Sequence, residues 1–312
     1  GELFTPIPAG ILVDIWGRKP CLIATAPMYI ISWVLVLMTR SVPVLYAVRI
    51  TQGLGMGIIF TVLPMYIAEI SGPSIRGSLS TLFQGMWYFG ILFEYSIGPY
   101  VTYDHYAYIS ASIPVIFLCT FIWMPESPYF LLMHNREEEA LKSLAWLRAE
   151  SKLTVKRELL IIKESVHEEM KNKVSWKDLW ATPADRRALL IIQVIAVAKF
   201  LSGAEAILSY ASQTFSATRG SCLTADNYTI IIGILILLTT FFTSGLVDTL
   251  GRRPLLLISC VGCCISEFLA GLYYYLDTQT SIYYNYSWLS FVSIASYCVF
   301  LSVGVGPLCS TI

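Results

Sequence analysis

The sequence predicts an all-α membrane protein, and three observations support this class. Hydrophobic residues make up 56% of the 312 residues and charged residues only 13%, too few to cover a water-soluble surface. Apolar runs of about 20 residues, the length that an α-helix needs to cross a bilayer, recur along the chain. The pattern Asp-x-x-Gly-Arg-Lys/Arg-Pro also occurs twice, from Asp14 and from Asp248, each time between two such runs.

Eight apolar runs predict membrane helices, and a shorter ninth run, residues 1–13, predicts the end of one more. The eight predicted spans lie near residues 20–39, 44–68, 79–102, 106–124, 188–212, 229–247, 255–276 and 288–312. Glycine and proline inside these runs are compatible with membrane helices, where close neighbours compensate for them. The sequence begins without Met, and its first apolar run lacks a basic leader. We therefore expect a fragment without a signal peptide.

The distribution of basic residues predicts the orientation. Loops on one side carry 17 Lys and Arg and those on the other side carry two, so the positive-inside rule makes the first side cytoplasmic. Two glycosylation sequons, at Asn227 and Asn285, fall on the opposite side, as expected for glycan acceptors. The polar segment 125–187 holds 12 of the 21 basic residues. It predicts a cytoplasmic linker with short amphipathic helices between residues 1–124 and 188–312.

Several functional classes are excluded by composition and spacing. The equal numbers of acidic and basic residues, 21 each, argue against nucleic acid as a partner. No nucleophile stands beside a candidate base, and His105, His134 and His167 lie in separate loops, so we expect no enzyme. The pair Cys260-x-x-Cys263 has no second pair or histidine near it. We therefore expect no metal site and no cofactor.

The repeated motif suggests a mechanical role. Asp14 and Asp248 end their helices, whereas Arg18 and Arg252 begin the next ones. Across a tight turn, these opposite charges can form ion pairs that hold neighbouring helix ends together. Internal duplication is typical of secondary transporters, whose halves move about a central site. An ordinary basic turn is the alternative, and it is less favoured because the motif occurs twice at matching positions.

Other motifs accompany the repeat and carry a family resemblance. They are Arg49-x-x-x-Gly53-x-Gly55-x-Gly57, Pro64-Met-Tyr66-Ile-Ala-Glu69 followed by Arg76-Gly77, Pro125-Glu126-Ser127-Pro128, and Gly304-x-Gly306-Pro307. Together with the repeat they resemble the major facilitator superfamily and, within it, the sugar porter family of hexose and insect trehalose facilitators. The resemblance runs from late helix 2 to helix 10 of the family, with helices 1, 11 and 12 outside the sequence. It implies two pseudo-symmetric helical halves joined by a cytoplasmic helical linker.

The resemblance also implies a set of charged residues that closes the cytoplasmic side through salt bridges. This cytoplasmic gate comprises Asp14, Arg18, Lys19, Glu69, Arg76, Glu126, Asp248, Arg252 and Arg253. The family usually has an arginine where this chain has Tyr129, which is a departure from the pattern. Arg49 matches an arginine that faces an acid in proton-coupled relatives, so Arg49 and Glu94 are candidates for ion coupling.

The substrate site follows the family less closely. Gln84 matches a sugar-contacting glutamine, but Lys199, Phe200 and Glu205 replace two glutamines and an asparagine that are typical of the seventh helix. An ionisable group at the bilayer centre costs about 2.5 to 3.5 kcal/mol, so it should face a cavity or a partner. The candidate substrate-binding residues are therefore Gln84, Lys199, Phe200 and Glu205. A structural pair between Lys199 and an acid such as Glu94 is an equally weighted alternative.

Taken together, the residues and the resemblance predict a transporter that moves a sugar, hexose or trehalose, by alternating access, with facilitated diffusion preferred to proton symport. Two alternatives stay open: a non-transporting sugar sensor, and a transporter of a charged solute. The expected partners are the lipid bilayer and a small-molecule substrate. We expect a monomeric, multi-pass protein of the plasma membrane, with residues 125–187 in the cytoplasm.

Overall fold

The computed structural model describes residues 4–72, 75–171, 180, 182–216, 224–279, 287–304 and 306. These residues form fourteen α-helices and contain no β-strand, which confirms the predicted all-α class. The helices are α1 (Pro6–Trp16), α2 (Arg18–Met38), α3 (Val42–Ile70), α4 (Arg76–Ile97), α5 (Tyr103–Phe121), α6 (Pro128–Met133), α7 (Glu137–Arg148), α8 (Lys152–Lys171), α9 (Pro183–Leu201), α10 (Ala204–Ser209), α11 (Ala211–Ser216), α12 (Ala225–Leu250), α13 (Arg252–Gln279) and α14 (Ser287–Val303).

The chain forms two compact units. The first comprises Gly1–Ser80 and Val101–Val174, and the second comprises Thr81–Tyr100 and Ser175–Ile312. Helix α4 therefore belongs to the second unit from Thr81 onward. The division of the chain into halves 1–124 and 188–312, joined by a linker 125–187, stays a prediction.

The first unit combines membrane helices with a polar helical segment. Helix α2 packs against α3 and α5, and α1 packs against α3. Helices α6 to α8, hereafter the polar helical segment, have their own apolar core around Leu131, Leu144 and Leu159. Helix α7 is stabilised at both ends, because three glutamates occupy its first turn and Arg148 its last, in accord with the helix dipole. The predicted amphipathic helices of the segment thus correspond to α7 and α8.

The second unit packs α4 and α10 to α14 around buried Tyr88, Leu208, Ile232 and Tyr297. Helix α14 packs against both α12 and α13. In the described part of the chain, five helices are long and apolar enough to span a membrane: Arg18–Met38, Val42–Ile70, Pro183–Ser209, Ala225–Thr243 and Arg253–Leu276. An integral, multi-pass membrane protein follows from these spans and from the family described below.

One predicted span is interrupted in the structure. The run 188–212 suggested a single helix, but α9 ends at Leu201 and two short helices, α10 and α11, follow. Gly203 has φ +73°, a left-handed conformation that glycine adopts without strain, and it interrupts the helix. Hydrophobic length alone could not reveal this break, because the run stays apolar across it. The predicted sequon at Asn285 lies outside the described residues.

Candidate gate and substrate sites

Arg18 and Glu69, two predicted gate residues, form a buried ion pair in the first unit. The Arg18 Nε donates to both carboxylate oxygens of Glu69, at 3.1 and 2.9 Å, and Nη2 donates to Oε1 at 2.8 Å. Arg18 is only 3% exposed and Glu69 only 12%. Asp14 is a looser partner, since its Oδ1 lies 3.6 Å from Arg18 Nη1 and its side chain is 62% exposed. The pair joins the start of α2 to the end of α3.

Glu126 caps the start of α2 from a distant part of the chain. Its carboxylate accepts hydrogen bonds from the backbone N–H groups of Arg18, at 3.2 Å, and of Lys19, at 3.1 and 3.2 Å. Ser127 N–H donates to the same carboxylate at 2.8 Å. Helix α2 has glycine at its N-cap, so Glu126 supplies the acceptor that a capping side chain would provide. Burial raises the pKa of the Glu126 carboxyl above its usual value, against the lowering effect of these hydrogen bonds.

Gly17 makes this cap possible. Its φ of +102° lies in the region that favours glycine, and a Cβ atom there would stand 2.4 Å from Glu126 Oε2. The same Cβ would lie 3.0 Å from the ring of Phe130. The glycine of the repeated motif is therefore required for two reasons, the conformation of the turn and the space that the carboxylate occupies.

The second copy of the motif has a similar turn. Helix α12 ends at Leu250, Gly251 has φ +81°, and α13 begins at Arg252. The side chains of Asp248, Arg252 and Arg76 lie outside the described residues, so the structure does not describe the partners of these three gate candidates. Arg253 is exposed.

The polar helical segment is anchored to the same helix ends by residues that the sequence did not single out. Ser143 of α7 donates to the Glu126 carbonyl at 2.5 Å, and Tyr66 of α3 donates to the Pro125 carbonyl at 2.7 Å. Arg148 donates to the Ile70 carbonyl at 3.0 Å while it also binds Glu158. Tyr66 lies inside a recognised motif, which is a usable signal. Ser143 and Arg148 carried no such signal, because their roles depend on how α7 packs.

Tyr129, where the family usually has arginine, takes a different partner. Its hydroxyl donates to the Glu169 carboxylate of α8. Burial raises the pKa of Tyr129, and this hydrogen bond raises it further. Tyr129 and Glu169 line, with Arg18, Glu69 and Arg148, a cavity of about 1140 Å³. At this position the chain thus has a tyrosine that forms a hydrogen bond within the polar helical segment, where the family usually has a charged arginine.

A polar cluster lies in the core of the second unit, beside the break between α9 and α10. Gln84 is 9% exposed, Tyr88 5% and Ser302 is fully buried. Gln84 and Tyr88 lie one turn apart on α4, with Ser302 as a neighbour, and the Ser302 hydroxyl donates to the Cys298 carbonyl at 2.8 Å. Glu205, another predicted substrate residue, is exposed in the first turn of α10. The sequence did not predict a role for Tyr88, because aromatic residues are common in membrane helices.

Two further tyrosines hold the interrupted helix. Tyr95 donates to the carbonyl of Leu208 in α10, and the Tyr297 hydroxyl exchanges a 2.9 Å hydrogen bond with the Ser202 hydroxyl. Tyr297 also donates to the Ser202 carbonyl at 3.2 Å. These bonds satisfy backbone groups that the break leaves without helical partners, as membrane interiors require.

The other candidates lie in α3, α4 and α9, and the side chain of one of them is outside the described residues. Lys199 is half-buried in the last turn of α9, where a cation suits the helix dipole. The side chain of Phe200 lies outside the described residues. Arg49 is exposed and belongs to the first unit, whereas Glu94 is half-buried and belongs to the second. No group of three or more His, Cys, Asp or Glu in the described ranges could hold a metal ion.

Comparisons with known proteins agree with this architecture. The family model described as Sugar (and other) transporter matches residues 1–312. The chain is 32% identical to the facilitated trehalose transporter Tret1 of Polypedilum vanderplanki over 304 residues, which is 97% of this chain and 60% of that protein. It is also 32% identical to Tret1 of Anopheles gambiae, over 97% of this chain and 38% of that protein. The chain thus spans about 60% or less of the length of these relatives.

Solved structures show the same fold. A partially occluded, inward-open conformation of the xylose transporter XylE from E. coli superposes with a TM-score of 0.81 at 24% identity, over 99% of this chain and 72% of that one. The proton:xylose symporter XylE bound to 6-bromo-6-deoxy-D-glucose gives a TM-score of 0.77 at 25% identity, over 99% and 69%. Nearly all of this chain therefore follows the backbone of major facilitator proteins.

Proposed function

Because the chain belongs to the family described as Sugar (and other) transporter, we propose that the protein moves a sugar across a membrane by alternating access. The observation that carries the proposal is the buried polar cluster of Gln84, Tyr88 and Ser302 in the core of the second unit. Sugar recognition needs amides and hydroxyls that meet substrate hydroxyls within a mostly apolar cleft. The cluster offers an amide, a phenol and a hydroxyl beside an interrupted helix.

The names of the trehalose-transporting relatives support facilitated transport of a disaccharide, and a hexose stays the alternative that the family resemblance implies. Two curated relatives are named facilitated trehalose transporters, and XylE is named a proton:xylose symporter. These names support transport over the sensor alternative. Glu205, near Tyr88, and Lys199, in the last turn of α9, keep a charged solute as a second candidate. Neither residue has the amide side chain that the family resemblance implies for a sugar contact.

The ion pair of Arg18 and Glu69, with the Glu126 cap, is the proposed gate of the cytoplasmic side. The ion pair joins α2 to α3, and Glu126 joins the start of α2 to α7 of the polar helical segment. Discrete hydrogen-bonded contacts of this kind can break and reform when a transporter changes conformation. We place residues 125–187 in the cytoplasm and the protein, as a monomer, in the plasma membrane.

The test is uptake of labelled trehalose and glucose by cells that lack their own sugar carriers and express the protein at their surface. We expect saturable uptake. Gln84→Ala should reduce the apparent kcat/KM roughly three- to tenfold, the effect of losing one hydrogen bond of about 0.5 to 1.5 kcal/mol. Gln193→Ala is the matched control, because Gln193 is an exposed glutamine of the same unit.

A lack of uptake with confirmed surface expression would contradict the proposal for these two sugars. The variant Lys199→Gln/Phe200→Gln then separates the alternatives. If this variant restores sugar uptake, the natural sequence no longer binds these sugars. The charged-solute and sensor alternatives are then favoured over sugar transport. Equal changes of kcat/KM in Gln84→Ala and Gln193→Ala would show that Gln84 does not contact the substrate.

A further inference from the structure

A second cavity, of about 740 Å³, lies in the first unit beside the gate, and it shares Lys19 and Glu126 with the gate. Its lining includes Ile23 and Ala24 from the first turns of α2, Trp123 just after α5, and Ser143 of α7. Helix α2 begins at Arg18 and α5 ends at Phe121. The cavity therefore lies where two membrane helices end and the polar helical segment begins, which is the depth of the lipid headgroups.

Three tryptophans line this cavity, and all three are exposed. Trp16 is 58% exposed, Trp123 80% and Trp146 57%. A tryptophan ring combines an apolar body with a polar N–H group and prefers the boundary between hydrocarbon and water. Trp146 belongs to α7 of the polar helical segment and not to a membrane helix. Its exposure therefore has another cause than the aromatic belt that tryptophans form at the ends of membrane helices. Three exposed rings around one cavity indicate an occupant that is partly apolar.

The charges of the cavity favour an anion. Its basic residues are Lys19, Arg136 and Lys142, and its acids are Glu126 and Glu139. Arg136 forms an ion pair with Glu139, with Nη2 2.6 Å from Oε2. The Glu126 carboxylate already accepts the backbone hydrogen bonds of the α2 cap.

Two ammonium groups stay available. The Lys19 ammonium donates to the Ile122 carbonyl at 2.8 Å, which leaves its charge and other N–H donors for a ligand. Lys142 is exposed, and no carboxylate of the described residues lies within 4 Å of its ammonium. Cations that lie beside exposed tryptophans at the membrane surface match the chemistry of an anionic lipid headgroup.

We propose that this cavity binds the headgroup of an anionic phospholipid. Lys19 and Lys142 face its phosphate, and the three tryptophans contact its glycerol and upper acyl chains. The bound lipid would touch α2 one residue from Arg18 and would also touch α7, so it would brace the polar helical segment against the spans. The inference relies on the proposed function only for orientation, since the cytoplasmic leaflet is the one rich in anionic lipid.

The experiment is native mass spectrometry of the detergent-purified chain, titrated with phosphatidylglycerol or with phosphatidylcholine. We expect preferential retention of phosphatidylglycerol. Lys142→Gln should weaken retention about fivefold, equivalent to the roughly 1 kcal/mol that one basic residue contributes near a membrane surface. Lys142→Arg should restore retention. Lys156→Gln is the matched control, because Lys156 is exposed on α8 and does not line the cavity.

Three results would overturn the proposal. One is equal retention of the two lipids. Another is an equal loss in Lys142→Gln and Lys156→Gln, which would mean a general effect of net charge. The third is displacement of the lipid by millimolar inorganic phosphate alone, which would indicate a site for free phosphate. Sugar uptake measured on the same variants keeps the two proposals apart, because lipid retention in detergent does not require transport.

Discussion

Removing one partner of the Arg18–Glu69 pair should destabilise the protein far more than breaking an exposed pair of the same chemistry. Three N–H to carboxylate contacts of 2.8 to 3.1 Å join these side chains, and both are largely shielded from water. Arg18→Gln leaves the Glu69 charge buried without its main partner. Such losses cost about 3 to 5 kcal/mol. Glu69→Gln should cost a similar amount for the same reason.

Arg40 and Asp104 provide the matched control in the same unit. Their ion pair has a similar N to O distance, 3.0 Å, but the side chains are 73% and 56% exposed. Water screens this pair, so we expect its contribution to be about 0.2 to 1 kcal/mol. Arg40→Gln should therefore change the free energy of unfolding by less than about 1 kcal/mol.

The assay is reversible unfolding of the chain in mixed micelles with increasing SDS, applied to both single variants and the double variant of each pair. A double-mutant cycle isolates the interaction between partners that are in contact. We expect a coupling energy of about 1.5 to 3 kcal/mol for Arg18 with Glu69, the range of charged hydrogen bonds. A coupling energy no larger than that of Arg40 with Asp104 would refute the reasoning that burial strengthens this pair.

Two further predictions concern the cap of α2. Gly17→Ala should destabilise the protein by at least about 2 kcal/mol in the same unfolding assay, because it combines a disfavoured φ with a clash against Glu126. Gly203→Ala should cost only about 1 kcal/mol, because a Cβ at Gly203 would meet no atom within 4 Å. Equal losses of stability in the two variants would contradict the predicted clash at Gly17. Burial raises the pKa of Glu126 above 4.5, so between 4.5 and that higher pKa the folded protein binds more protons than the unfolded one. Stability should therefore fall as pH rises through this window, and Glu126→Gln should remove that part of the slope in urea titrations at stepped pH; an unchanged slope would contradict it.

Much of the fold could be predicted because hydrophobic length is a local property. Any run of about 20 apolar residues must satisfy its backbone as a helix in lipid, whatever its neighbours are. The runs near 20–39 and 44–68 accordingly became α2 and α3 with small shifts at their ends. The repeated motif likewise located both glycine turns, at Gly17 and Gly251, because a positive φ restricts the residue type.

The candidate sites were predicted less completely, because partners far apart in sequence meet only through packing. The sequence placed Arg18, Glu69 and Glu126 in one charged set, but it did not show that Glu126 accepts the backbone N–H groups of α2. It likewise identified Gln84 without revealing Tyr88, its neighbour one turn along α4.

The sequence by itself determined that the protein is helical, crosses a membrane and carries two matching charged turns. These properties follow from composition, run length and the conformational limits of glycine. The tertiary structure alone decided that the predicted span 188–212 breaks at Gly203, that Tyr129 donates a hydrogen bond to Glu169, and that Ser143 and Arg148 anchor α7. Each of these depends on which helix faces lie together, and that is settled by the packing of segments tens of residues apart.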